Sequence, residues 1–139
     1  MKLLLGGPAA DRELELGITD LRDLPASAIV EDVGALVSGR EGSAVRLSAL
    51  AVHAGVRDEA KLVHVESADG DFTANVPIHQ ALAGGLVLFE LGGDALPAKF
   101  GGPFRLLFVD EEDCSVNVKF LRSIEFVVEP GTHTARCAD

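Results

Sequence analysis

GGPFRLLFVDEEDCSVNVKFLRSIEFVVE, residues 101–129, is the stretch whose reading decides the fold. It opens on a Gly-Gly-Pro turn, in which two unrestricted residues precede one with a fixed φ. Residues 104–109 follow as a short aromatic and branched run, the composition of a strand in a packed sheet. The acidic break Asp110-Glu111-Glu112-Asp113 is too charged to bury and reads as a solvated loop. Apolar residues then return at Val116, Val118, Phe120, Ile124, Phe126 and Val128, close to period two, so the spacing predicts further strand. Arg105 and Lys119 each sit near one end of an apolar run. Two adjacent β segments would bring this guanidinium and this ammonium together, either as satisfied structural cations or as anchors for an anion.

Working outward, LVLFEL at residues 86–91 reads as a strand bounded by the pairs Gly84-Gly85 and Gly92-Gly93. PIHQALAG, residues 77–84, predicts a short helix with proline at its first position. Residues 61–66 and 72–76 are expected to pair as strands around Ala68-Asp69-Gly70-Asp71, a hairpin turn whose glycine accepts positive φ. Leu47, Leu50, Ala51 and Ala54 recur at helical spacing within residues 45–56, and Gly55 is a natural stop. Before that helix, residues 38–43 form a polar loop, residues 28–37 read as a strand, and residues 19–25 as one helical turn capped by Thr19 or Asp20. Residues 13–18 alternate as a half-solvated strand, while 1–12 and 130–139 read as loose ends. Strands outnumber two short helices. The expectation is an α+β class, a single domain over 1–139, with a mainly β mixed sheet or barrel-like core.

A chain of 139 residues, 47% hydrophobic and 24% charged, can build its own core. Its net charge of −10, from 22 acidic against 12 basic residues, argues against nucleic acid as a partner. A local basic pocket can still hold a small anion. Tyrosine and tryptophan are absent, which argues against aromatic base-stacking platforms or carbohydrate-type stacking faces. Two cysteines, Cys114 and Cys137, make neither a disulfide framework nor a zinc motif, and His53, His64, His79 and His133 lack metal-ligand spacing. The opening leucine run is too short for a secretory signal and no apolar run approaches the roughly 20 residues of a membrane span. A cytoplasmic protein with no membrane partner is therefore expected. No nucleotide loop or Ser-His-Asp order occurs, so no catalytic residue and no metal ligand is assigned.

The succession of strand, Asp-Gly turn, strand, Pro-started helix, LVLFEL, GGPFR and a late VKF resembles the molybdopterin-binding domain of the sulfite oxidase family. That family includes sulfite oxidases, plant nitrate reductases and bacterial molybdenum-containing methionine sulfoxide reductases. The resemblance rests on SALAVHAGV, VHVESADGDFTANVPIHQAL, LVLFELGGDALPAKFGGPFRLLF and NVKFLRSIEFVVE, and spans about residues 47–129. It implies that Arg105, matching the arginine of a Gly-x-Pro-x-Arg segment, contacts the pterin or an oxyanion. Lys119, matching the lysine of a Val-Lys-aromatic motif, would hold the pyranopterin and its phosphate. By the same resemblance Ser115 and Asn117 lie beside the cofactor, and Asp69 is an acidic residue near the pterin. Molybdopterin is thus the implied cofactor.

Two departures accompany the resemblance. The segment ALVSGREGS has no cysteine where the family ligates molybdenum, so Leu36 or a neighbour stands there, and leucine cannot replace a soft thiolate. Phe100 stands where sulfite-oxidising members carry histidine. The expectation is a divergent molybdopterin-dependent oxidoreductase-like domain that binds a pterin or small anion without ligating molybdenum through cysteine. The alternative is a non-catalytic structural module reusing the scaffold, as a homo-oligomer or with a partner subunit.

Overall fold

A computed structural model describes residues 2–109, 116–129 and 135–136. In chain order the elements are β1 (Leu3–Gly6), β2 (Leu14–Leu16), α1 (Ile18–Arg22), β3 (Ile29–Val30), β4 (Ser43–Arg46), α2 (Leu47–Ala54), β5 (Leu62–Ser67), β6 (Thr73–Pro77), α3 (Ile78–Gly84), β7 (Gly85–Leu91), β8 (Asp94–Ala95), β9 (Arg105–Phe108), β10 (Leu121–Val127) and β11 (Ala135–Arg136). Strands dominate and the helices are short, as the patterning implies. The core is divided between two sheets. The first runs β11-β6-β5-β10-β1-β2, and in the second β7 lies between β4 and β9, with β3 beyond β4 and β8 on the end of β7.

The hairpin is where the Asp-Gly turn places it: β5 and β6 pair antiparallel, with Val63 opposite Val76 and Val65 opposite Ala74. Helix α2 ends at Gly55, which takes the left-handed conformation at φ +69° and donates back to the helix carbonyls. Pro77 closes β6 and stands just ahead of α3, a position that needs no backbone N–H. Helix α2 packs against β1 of the first sheet and β4 and β7 of the second, so its face of Leu47, Leu50, Ala51 and Ala54 joins the layers. The unbroken run LVLFEL follows from burial on both faces. Val87 and Phe89 enter the main core, while Leu86 and Leu88 enter a smaller cluster with Val30, Val33, Val37 and Leu96.

Three expectations change. Residues 1–12 are not a loose end: β1 lies within the first sheet, parallel to β10 and antiparallel to β2. Leu3 and Leu5 alternate into the core at 0% and 2% exposure, so the leucine run is a buried strand. Residues 28–37 are not one strand. Only Ile29–Val30 pairs with β4; then Asp32 accepts the Gly34 N–H at 3.0 Å and turns the chain into a 3₁₀ turn at Val33–Ala35. Residues 116–128 are not one strand either. The register of β10 shifts between Leu121 and Ser123, and that irregularity moves the buried set from Leu121 to Ile124 and Phe126. Most of 130–139 lies outside the described residues, apart from the two of β11.

The placement of β1 has a measurable consequence. Leu5→Ala is expected to destabilise the protein by about 2–5 kcal/mol in urea unfolding, the usual result of emptying a buried leucine site. A change under about 0.5 kcal/mol would return the N-terminal segment to the surface.

Candidate functional site

The two basic side chains meet where the sheets come together. A 3₁₀ turn at Ala98–Phe100 ends on Gly101 at φ +88°, and the chain enters β9 through the buried Phe104. Val118 then crosses β9, exchanging hydrogen bonds with Leu106 at 2.9 and 3.1 Å. The Phe120 N–H donates to the Gly101 carbonyl at 2.7 Å and the Leu121 N–H to the Phe104 carbonyl at 2.8 Å. These four bonds bring Arg105 and Lys119 to one place. A Cβ added at Gly101 would lie 2.9 Å from Lys119 Cγ and 3.1 Å from Arg105 Cδ, so only glycine leaves both side chains their room.

Arg105 and Lys119 line a cavity of about 360 Å³, together with Ser67, Asp69, Asp71, Phe72, Asn117 and Phe120. The half-buried Arg105 donates from Nε to Asn117 Oδ1 at 2.9 Å and from Nη1 to the Phe100 carbonyl at 3.2 Å. Burial, and then the charge of Arg40, pull its pKa below the ordinary guanidinium value, yet it stays protonated. Two other arginines are matched by carboxylates: Arg22 lies between Glu31 and Glu90 and over the Phe89 ring, and Arg57 pairs with Asp11 at 2.8 Å. Among the described residues neither Arg105 nor Lys119 forms an ion pair.

Across the cavity, Asp69 Oδ1 accepts the Ser67 hydroxyl at 2.5 Å and the Asp71 N–H at 3.0 Å, while the Ser67 oxygen accepts the Phe72 N–H at 3.1 Å. The Ser67 hydroxyl first, and then the Asp71 N–H, hold the Asp69 carboxyl below its usual range. The cavity therefore offers cations on one wall and fixed carboxylate acceptors on another.

Phe120 is the one non-glycine residue with positive φ among those described, at +56°. A bulky side chain in that conformation costs about 1–3 kcal/mol. Four of the seven phenylalanines, Phe89, Phe104, Phe108 and Phe126, belong to the main core. Phe72, Phe100 and Phe120 belong to neither core cluster: two line the cavity, and the Phe100 carbonyl accepts from Arg105. Two phenylalanine rings thus border this site although tyrosine and tryptophan are missing.

Of the residues singled out from sequence, Arg105, Lys119, Asn117 and Asp69 come together here, and Ser115 lies outside the described residues. Ser67, Asp71, Phe72 and Phe120 were not foreseen, nor was Arg40. Phe72 and Asp71 flank the Asp-Gly turn and Phe120 directly follows Lys119, so their nearness in sequence was the available signal. A larger groove of about 650 Å³ on the first sheet shares no residue with this cavity; its Glu13, Glu15, Glu66 and Glu125 against Arg122 give it the wrong sign for an anion. Among the described residues no group of three or more His, Cys, Asp or Glu side chains could hold a metal ion, and no helix is long and apolar enough to cross a membrane.

Comparison with known proteins gives the arrangement a context. A family model described as the oxidoreductase molybdopterin binding domain matches residues 2–135. A search of curated proteins returns no significant match. Among solved structures, the sulfane dehydrogenase SoxCD from Paracoccus pantotrophus superposes with a TM-score of 0.64 at 21% identity, over 92% of this chain and 38% of that one. The likeness supports a shared fold, and the chain spans well under half of that relative's length.

A pH dependence follows from Asp69. Its folded pKa lies below the ordinary carboxylate value of about 3.9, so its charged form stabilises the fold above that pH and the contribution disappears as pH falls through the folded value. In thermal melts the gap between wild type and Asp69→Asn should be full at neutral pH and close below about pH 4. A gap constant from neutral to acid pH would contradict the assignment.

Proposed function

Because this chain belongs to the oxidoreductase molybdopterin binding domain family, we propose that it is a divergent molybdopterin-binding oxidoreductase domain whose cation pocket takes the phosphate end of the pterin cofactor. One observation carries the reading: Arg105 is oriented by Asn117, partly desolvated and, among the described residues, in no ion pair with a carboxylate. A guanidinium in that state gains more from an incoming anion than one already paired in water, and its planar fork can grip a phosphate at two points. Lys119 adds a mobile charge on the other side of Gly101. Asp69 supplies acceptors for the N–H donors on a pterin edge. The organic part of the cofactor therefore fits the residues present. When bound, molybdopterin supplies the metal centre for two-electron redox chemistry, and the protein contributes binding, orientation and charge.

The metal end is read differently. In the family resemblance a thiolate anchors molybdenum in the segment where this chain has Leu36, which follows the Val33–Ala35 turn at 39% exposure. An alkyl side chain offers the metal no donor. This supports a pocket that binds the pterin, or a small anion in its place, without a protein thiolate from this segment. It also favours a second reading, a non-catalytic module that keeps the pocket and loses the redox chemistry. Protein produced in a cofactor-competent host separates the two. Metal by elemental analysis together with pterin fluorescence after acid oxidation supports the oxidoreductase reading; neither signal supports the module.

The anion anchor itself is tested by substitution. Arg105→Ala should weaken binding of inorganic phosphate about 10- to 100-fold by calorimetry, the usual size of a charge-assisted contact, with the circular dichroism spectrum unchanged. Undiminished phosphate binding by a folded variant would reject the anchor.

A further inference from the structure

We propose that the outer face of the first sheet carries a second binding surface, a trough that docks an extended, lysine- or arginine-rich segment of a partner protein. The trough shares no residue with the Arg105 and Lys119 cavity, so the proposal is independent of how that cavity is read.

Strand register builds the trough. Leu3, Leu5, Ile124, Phe126, Val63 and Val65 alternate into the core, which sends the residues between them to the other face. One row on that face crosses β2, β1, β10 and β5 as Glu15, Leu4, Ser123 and Glu66. In the next row Glu125 lies opposite Gly6, and a Cβ at Gly6 would meet Glu13 Cγ at 3.0 Å. Glu13 and Glu15 thus form one wall and Glu66 and Glu125 the other, over a floor of Leu4, Gly6 and Ser123. The volume is about 650 Å³. Three strand spacings of about 4.8 Å separate Glu15 from Glu66, room for one extended chain between the walls.

The charges select the occupant. Four carboxylates face one guanidinium, Arg122, and among the described residues none of the five forms an ion pair. Elsewhere Asp11, Glu31 and Glu90 are matched by arginines. Among the described residues no group of three or more His, Cys, Asp or Glu side chains could hold a metal ion, so spread carboxylates call for a spread cation. An extended chain sends successive side chains to opposite sides, so neighbouring lysines or arginines would reach both walls at once. A second copy of this chain does not meet that description. Its 12 basic residues stand against 22 acidic ones, and no two of them are adjacent in sequence.

The test follows a fluorescein-labelled hexalysine peptide by anisotropy on the full chain, at about 20 mM salt where screening is weak. Glu15→Gln combined with Glu66→Gln should weaken binding about 5- to 30-fold, the size of two exposed charge contacts. Asp58→Asn combined with Glu59→Gln makes the same change in net charge at an exposed turn outside the trough. That control should stay within about twofold of wild type. Arg122→Gln should tighten binding about 2- to 5-fold, a gain that no folding defect produces. Ser123→Phe leaves the charge alone and fills the floor, so it should weaken binding about 5-fold or more. Equal losses in the two double variants would make the attraction a property of the whole acidic surface and overturn the proposal. Wild-type protein that leaves hexalysine unbound would overturn it as well, as would a folded Ser123→Phe variant that binds like wild type. A wild-type dimer in light scattering that the Glu15 and Glu66 substitutions abolish would give the face to a second copy instead.

Discussion

The hydrogen bond from Phe120 N–H to the Gly101 carbonyl, with the Leu106–Val118 exchange beside it, is the constraint on which the site depends. It joins two segments that belong to different layers. Gly101 leads into β9 of the second sheet, and Phe120 leads into β10 of the first. Without that clasp Arg105 and Lys119 would sit on separate sheets and no charge would accumulate between them. With it, two cations come close enough that only a glycine fits between their stems. The position of the site at the seam of two sheets is therefore a result of backbone pairing, while its chemistry is set by a few side chains.

The charge balance of the chain bears on how those cations are read. A protein with 22 acidic and 12 basic residues has ample carboxylate to neutralise every cation. It does so at Arg22, which fastens α1 to Glu31 and to the nearly buried Glu90. At Arg105 the protein supplies neutral acceptors instead, the Asn117 amide oxygen and the Phe100 carbonyl. These orient the guanidinium without cancelling its charge. Partial burial, and then the charge of Arg40, lower its pKa from the ordinary guanidinium value without removing its proton.

Much of this was legible in the sequence because it depended on local rules. The Asp-Gly turn set the β5–β6 hairpin, Gly55 ended α2, and LVLFEL was continuous because both faces of β7 are covered. The rest depended on partners distant in the chain. Nothing in MKLLLGG shows that β10, more than a hundred residues later, will flank it and bury Leu3 and Leu5. Residues 28–37 have strand composition, but the Asp32 carboxylate competes for the backbone and turns it. The site was half visible: Arg105, Lys119, Asn117 and Asp69 were marked by the resemblance, whereas Phe72 and Phe120 were read only as members of apolar runs. Composition counts residue types. It does not say which copies of a type the core will take and which it will leave at a cavity.

That distinction bears on function through a contrast between two positive-φ residues facing each other across one hydrogen bond. At position 101 the chain uses glycine, and the geometry explains why: Lys119 and Arg105 leave no space for a methyl group. At position 120 the backbone adopts a comparable conformation with a phenylalanine, at a conformational cost that burial in a core does not offset. Steric necessity accounts for the first choice and not for the second. Among the described residues Phe120 borders the cavity, whose other walls are two cations, two carboxylates, Ser67, Asn117 and a second phenylalanine. A small inorganic anion would be served by the cations alone. The strained backbone therefore sets an aromatic ring, held from both sides by the Gly101 and Ala68 hydrogen bonds, at the edge of a cavity that carries charges of both signs.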